Sequence, residues 1–254
     1  MKSKLTLAAA IGAAALALPV SHAGATVTAA TDDLLLAFQA TGGTGSTINL
    51  EVDLGNFASP LTSINLNADL TADYGANWAT RTDLFWAVIG GNNTAINGLP
   101  ADTLFVSSPD SAGQGTSAGL AAGAASSQLT VANDLNSGYA LFNSTNATAG
   151  NTNNSVTVDN STTGSYGATR TALSNEFGTD AAFEQGVNQA SESSDFWELK
   201  PGTPATRSST DINFGTLSSN GVFTVGAVPE PSTWASVVLG AATLIGLRRR
   251  RTRA

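Results

Sequence analysis

The chain has 254 residues, 26 of them glycine, with one histidine, no cysteine and only 12% charged residues, against roughly 25% in ordinary globular proteins. Between residues 25 and 227, eighteen acids stand against Arg81, Arg170, Lys200 and Arg207, a net charge of −14, and every other base lies in one of the two terminal segments. Such an acidic body repels phosphate backbones and so excludes a nucleic-acid partner. Lacking thiols, it must be held by packing or bound ions rather than by disulfides.

The chain opens with MKSKLTLAAAIGAAALALPVSHA. Lys2 and Lys4 precede an apolar run over residues 5–18, and Ser21-His22-Ala23 forms a small-x-small site. This order predicts a signal peptide over residues 1–23, cut after Ala23 or, as an alternative, after Ala25. It implies Sec-type export machinery and signal peptidase as partners. Cleavage removes the only histidine.

Residues 25–227 read as one exported β-rich domain. DLLLAFQAT (33–41) and STINLEVDLGNF (46–57) predict two strands joined by TGGTGS. In the second, Ile48, Leu50, Val52 and Leu54 alternate with Asn49, Glu51 and Asp53, the two-residue period of a strand with one wet face. NADLTADYG (67–75) predicts a short helix capped by Asn67 and stopped by Gly75. DLFWAVIGG (83–91) is apolar throughout and suits a strand buried on both faces, and DTLFVSSP (102–109) predicts the next. SAGLAAGAASSQLTVANDL (117–135) fits either helix or loop. NSTNATAGNTNNSVTVDNSTTGS (143–165) reads as a long loop, with two polar edge strands around Val156 and Val158 as the structured option. Residues 169–190 predict two short helices. SDFWELKPG and STDINFGTLSSNGVFTVG (194–226) predict three strands, the last pair joined at Asn220-Gly221 by a type I′ turn. Together these predict a single β-sandwich with minor short helices.

The residue inventory narrows the chemistry. Without His or Cys in the mature body, Ser-His-Asp triads, thiol nucleophiles and His- or thiolate-held metals are excluded. A Ser-Lys dyad would have to use Lys200, beside Pro201-Gly202. Carboxylates remain. Glu51 and Asp53 share a strand face, within roughly 7 Å of each other, a separation that serves a glycosidase pair. The reading preferred here is a solvated strand face, and the same is expected of Glu192, Asp195 and Glu198. No cofactor is expected, with structural calcium as the one candidate, through Asp32, Asp33, residues 151–154, Asp159 and Asn160. N-x-S/T triplets occur at Asn92, Asn143, Asn146, Asn153 and Asn160. Trp78, Trp86 and Trp197 lie in apolar segments and are expected in the core.

The chain closes on VPEPSTWASVVLGAATLIGLRRRRTRA. Pro229 and Pro231 fix an extended segment around Glu230. An uncharged stretch over residues 234–247 reaches the short limit of a membrane span when counted from Pro231. Arg248, Arg249, Arg250, Arg251 and Arg253 follow as a cytoplasmic stop. This tail, residues 228–254, resembles the PEP-CTERM sorting signal of Gram-negative bacteria, through Val228, Pro229, Glu230, Pro231 and Ser232, the apolar helix and the basic end. The resemblance implies cleavage by a membrane exosortase near Pro-Glu-Pro. It further implies passage from an inner-membrane-anchored precursor to the cell surface or extracellular matrix of a bacterium making extracellular polysaccharide. The expected function is therefore a non-enzymatic surface or matrix protein associated with that polysaccharide. A carbohydrate-active hydrolase using two carboxylates is the alternative. Residues 34–86 and the closing strands also resemble small exported proteins with this tail, which implies no activity.

Overall fold

A computed structural model describes residues 27–96, 98–109, 125–149, 154–177, 183–189, 193–201 and 209–226. The predicted signal peptide with Ala23, the predicted sorting residues Val228 to Ser232 and Arg248 to Arg251, and both predicted terminal helices lie outside them. Among the described residues no helix is long and apolar enough to cross a membrane.

The body is mostly β, with minor helices. In chain order the elements are β1 (Asp33–Ala40), β2 (Ile48–Asn56), β3 (Ser63–Asn65), α1 (Asn67–Tyr74), β4 (Leu84–Asn92), β5 (Thr103–Pro109), α2 (Ala125–Ala149), β6 (Ser155–Asp159), α3 (Tyr166–Phe177), β7 (Gln185–Gly186), β8 (Ser193–Leu199), β9 (Ser209–Leu217) and β10 (Val222–Val225). Where a sandwich would stack two sheets, these strands form one antiparallel sheet in the order β3-β10-β9-β8-β5-β4-β1-β2-β6, with β7 paired to β4. The sheet curls into a half-barrel. Trp86 of β4 and Phe223 of β10 stand four strands apart, about 19 Å on a flat sheet, yet their ring centroids lie 5.4 Å apart, edge to face.

Curling gives the sheet two unlike faces, each with its own core. The inner face gathers Leu34, Leu36, Phe38, Leu50, Val52, Trp86, Val88, Phe196 and Phe223 around α1. Phe57, Phe105 and Phe196 pack there as a three-ring cluster with their planes close to parallel. The other face carries Leu35, Ala37, Ala87, Ile89, Leu104 and Val106 beneath α2 and α3. Strands β1 and β4 are therefore buried on both sides, as the apolar run of β4 predicts.

The segment left open between helix and loop is helical from Ala125, and the first part of the predicted polar loop over 143–165, up to Ala149, is the end of the same helix. Gln128, Val131, Ala132, Leu135, Tyr139, Phe142 and Asn146 are its buried positions, recurring at three and four residues as one helix face requires. A single edge strand, β6, follows, with Val156 and Val158 inward. Of the predicted helical pair only the first forms, as α3. Its partner contains β7 and a 3-10 turn at Val187–Gln189.

One tyrosine hydroxyl ties a helix to the sheet on each face. Tyr74 of α1 accepts the N–H of Leu50 (3.0 Å) and donates to the carbonyl of Phe38 (2.8 Å). Those two residues face each other across the β1–β2 ladder. Tyr139 of α2 does the same on the other face, accepting the N–H of Gly91 (3.0 Å) and donating to the carbonyl of Asp33 (2.8 Å).

Local turns correct the predicted chemistry twice. Helix α1 is preceded by Leu66, not capped by Asn67. Asn65 Oδ1 accepts the Asn67 N–H at 3.0 Å, and Asn67 Oδ1 instead accepts from the Trp78 indole. At the β9–β10 hairpin only Gly221 is left-handed, with φ 76°. Its N–H donates to Ser218 O, and the Ser218 N–H donates to Val222 O, a three-residue loop closed by a glycine bulge rather than a type I′ turn. The start of α1 presses on this corner, and a Cβ on Gly221 would meet Asn67 Cα at 2.6 Å. The hairpin is built for that contact.

Candidate functional site

The polar side chains of β2 do not meet solvent. Asn49, Glu51 and Asp53 are 0%, 1% and 3% exposed, which overturns the solvated-face expectation. Alternation showed correctly that they oppose Leu50, Val52 and Leu54. The face they occupy is covered by α2 and α3.

Their partners explain why polar residues sit there. The first turn of a helix has N–H groups with no partner inside the helix, and its N-terminus favours negative charge. At α3, Glu51 Oε1 accepts the Tyr166 N–H at 2.7 Å and Asn49 Oδ1 accepts the Gly167 N–H at 2.8 Å. Ser165 Oγ accepts the Ala168 N–H at 3.3 Å. Thus two β2 side chains and Ser165 cap α3. A Cβ on Gly167 would meet Asn160 O at 2.5 Å, so glycine is required for the helix to come this close. The Ser before the helix was the one signal in the sequence for this cap; the residues that complete it come from more than 110 positions away. Further along α3, Arg170 grips Glu184 through two 2.8 Å bonds, and the Tyr166 hydroxyl donates to the same carboxylate.

Burial shapes the electrostatics. Desolvation pushes the Glu51 carboxyl up to about 7, opposed by the bond from the Tyr166 N–H. Asp53 is pushed up to about 6 by desolvation, opposed by the Gly55 N–H, with the charge of Asp33 adding to the rise. Asp33 is raised by the same burial, opposed by the Ala30 N–H and assisted by Asp32. Glu51 Oε2 has no hydrogen-bond partner among the described residues. Glu51 lines a cavity together with Leu35, Ala37, Ile89, Leu135, Gly138, Gly164, Tyr166 and Thr169, about the size of one water. No substrate could enter it.

The other candidates are taken up by neighbouring groups of the chain. Asp32 bonds the Asn56 amide, and Asp33 Oδ2 accepts the Ala30 N–H at 2.6 Å. Asp159 accepts from Ser161, and Asn160 donates to Ser46 O. These two calcium candidates lie at opposite ends of β2, about 25 Å apart. Among the described residues no three His, Cys, Asp or Glu side chains gather as a metal group; residues 151–153 lie outside them, and Asn154 donates to Asp53 O. Glu198 is buried beside Lys200 at 3.2 Å, not solvated as expected. Asp195 is half-buried and Glu192 lies outside the described residues. Trp78, Trp86 and Trp197 are core residues, as expected. The amides of Asn92, Asn143, Asn146 and Asn160 all donate to backbone carbonyls inside the body.

Comparison of the chain with protein-family models, with curated proteins and with solved structures gives no match.

Proposed function

We propose that this chain is a non-enzymatic exported protein of a Gram-negative bacterium, delivered by a PEP-CTERM signal to the cell surface or to a polysaccharide-rich matrix. In this reading residues 1–23 direct Sec-type export, and residues 234–247 hold the precursor in the inner membrane. An exosortase recognises the extended Val228-Pro229-Glu230-Pro231-Ser232 segment, while Arg248 to Arg251 keep the tail from slipping through. The body is passenger.

The observation that carries the non-enzymatic part is the sealing of Glu51 and Asp53 beneath α2 and α3, with Glu51 used as a helix cap. A glycosidase pair needs its carboxyls beside a cleft that admits sugar and water. The tryptophans that would stack on sugar rings are in the core as well, so contact with polysaccharide would fall to the polar, acidic surface.

The sorting part is tested by replacing Pro229, Glu230 and Pro231 together with alanine in cells that make the exosortase. Export should continue while an uncleaved form accumulates in the membrane. Processing and release like the parent would overturn the sorting reading.

A further inference from the structure

We propose that Glu51 is a proton-operated latch that fastens the first turn of α3 to the sheet. The geometry supplies three parts. One carboxyl oxygen holds the Tyr166 N–H at 2.7 Å, the other is buried without a partner among the described residues, and the Glu51 side chain lines a cavity about the size of one water.

Proton loss spreads charge over both oxygens: it strengthens the bond from the Tyr166 N–H to Oε1, and it also leaves Oε2 charged in a buried site. In the acid form the proton, taken from solvent, sits on Oε2 and can be donated to a water in the cavity, while Oε1 keeps the Tyr166 N–H. In the ionised form Oε1 keeps the Tyr166 N–H, while Oε2 shares the charge with no hydrogen-bond partner among the described residues. A buried charge without a counter-ion is costly, and lifting the α3 N-terminus to admit water relieves that cost. The latch therefore closes on proton uptake and loosens on proton loss.

The surroundings leave this charge to Glu51. From β1, β4 and β6 come Leu35, Ala37, Ile89 and Val156, none of them titratable. On α3, Arg170 is bonded to Glu184, which also accepts the Tyr166 hydroxyl. On α2, Asp134 and Tyr139 flank the cavity-lining Leu135 and Gly138. On β2 itself, Asp53 lies two residues along, on the same face. Across the sheet the Tyr74 phenol is raised by burial first, with the charges of Asp73 and Glu51 adding to the rise. No ion pair of Glu51 occurs among the described residues.

The test is amide hydrogen exchange of the full-length chain between about pH 5 and about pH 8, each rate divided by its unstructured-peptide value. Protection over residues 166–169 should fall by more than about tenfold across that range, and E51Q, which cannot ionise, should abolish the fall. D53N should preserve it. Protection that stays flat in the parent, a fall that persists in E51Q, or a fall lost in D53N would each overturn the latch. Should E51Q fail to fold, the Glu51 side-chain carboxyl carbon can be followed by NMR in the parent chain. A midpoint near neutrality supports the latch, and one below about pH 5 overturns it.

Discussion

The two faces of the curled sheet solve the same problem with different materials. The inner face is covered mainly by aromatic and aliphatic side chains that the curl brings together from distant strands, with Trp86 on Phe223 as the clearest contact. The outer face is covered by two helices drawn from segments rich in Ala, Ser, Thr and Asn, and β2 presents polar groups to them. The inner core is held mostly by contact, with Tyr74 and Trp78 as members that also hydrogen-bond. A helical cover brings N–H groups that must be met, and Asn49 and Glu51 meet them. The difference teaches that a polar strand face can be polar for a helix end rather than for water.

The largest expected effect lies on the inner face. Trp86→Ala removes a fully buried indole and its contact with Phe223. It should cost about 3–5 kcal/mol in denaturant unfolding, as large core truncations do. A much smaller loss would mean that the curl is not held by this contact.

Next comes the pH dependence of the outer face. The folded state holds protons on Glu51 to about 7 and on Asp53 to about 6, whereas unfolded carboxyls release theirs near 4. Between those values the folded state binds more protons, so stability falls as pH rises and levels off above about 7.5. The loss from Glu51 alone is on the order of 3 kcal/mol. Unfolding free energies measured from about pH 4.5 to about pH 8 check the sign, and a rise over that range would contradict the buried carboxylates.

The two tyrosines compare the faces directly. Tyr74→Phe and Tyr139→Phe each delete a hydroxyl that bridges a strand N–H and a strand carbonyl. Each should cost about 1–2 kcal/mol, measured by the same unfolding experiment. A loss confined to one variant would show that only that helix is pinned by its hydroxyl. Smallest of all, Leu129→Ala on the exposed side of α2 should change stability by less than about 0.5 kcal/mol, and a larger change would point to an unrecognised contact on that side.

Much of the sheet was legible because alternation and turn residues are local. β1, β2, β4, β5 and the β8–β10 region fall where their apolar patterns predict. The single curled sheet was not legible, since pairing order and curl depend on contacts between strands far apart in sequence. Helix α2 was missed in part because its buried stripe of Val131, Leu135, Tyr139 and Phe142 sits among Ala, Ser and Asn, residues common to helices and loops alike. The capping row was missed for a different reason. Alternation separates two faces but does not say what covers the second, and the helix that covers Glu51 begins 115 residues later.

The claim that the β2 carboxylates serve the fold rather than a reaction is tested most directly by chemical accessibility. The native full-length chain would be treated with a water-soluble carbodiimide and an amine, and the modified carboxyls located by peptide mass spectrometry. Asp159, exposed on its turn, should label readily, while Glu51 and Asp53 should stay unmodified until the protein unfolds. Labelling of Glu51 and Asp53 at the rate of Asp159 in the native chain would contradict the account and reopen the carboxylate pair as a catalytic site.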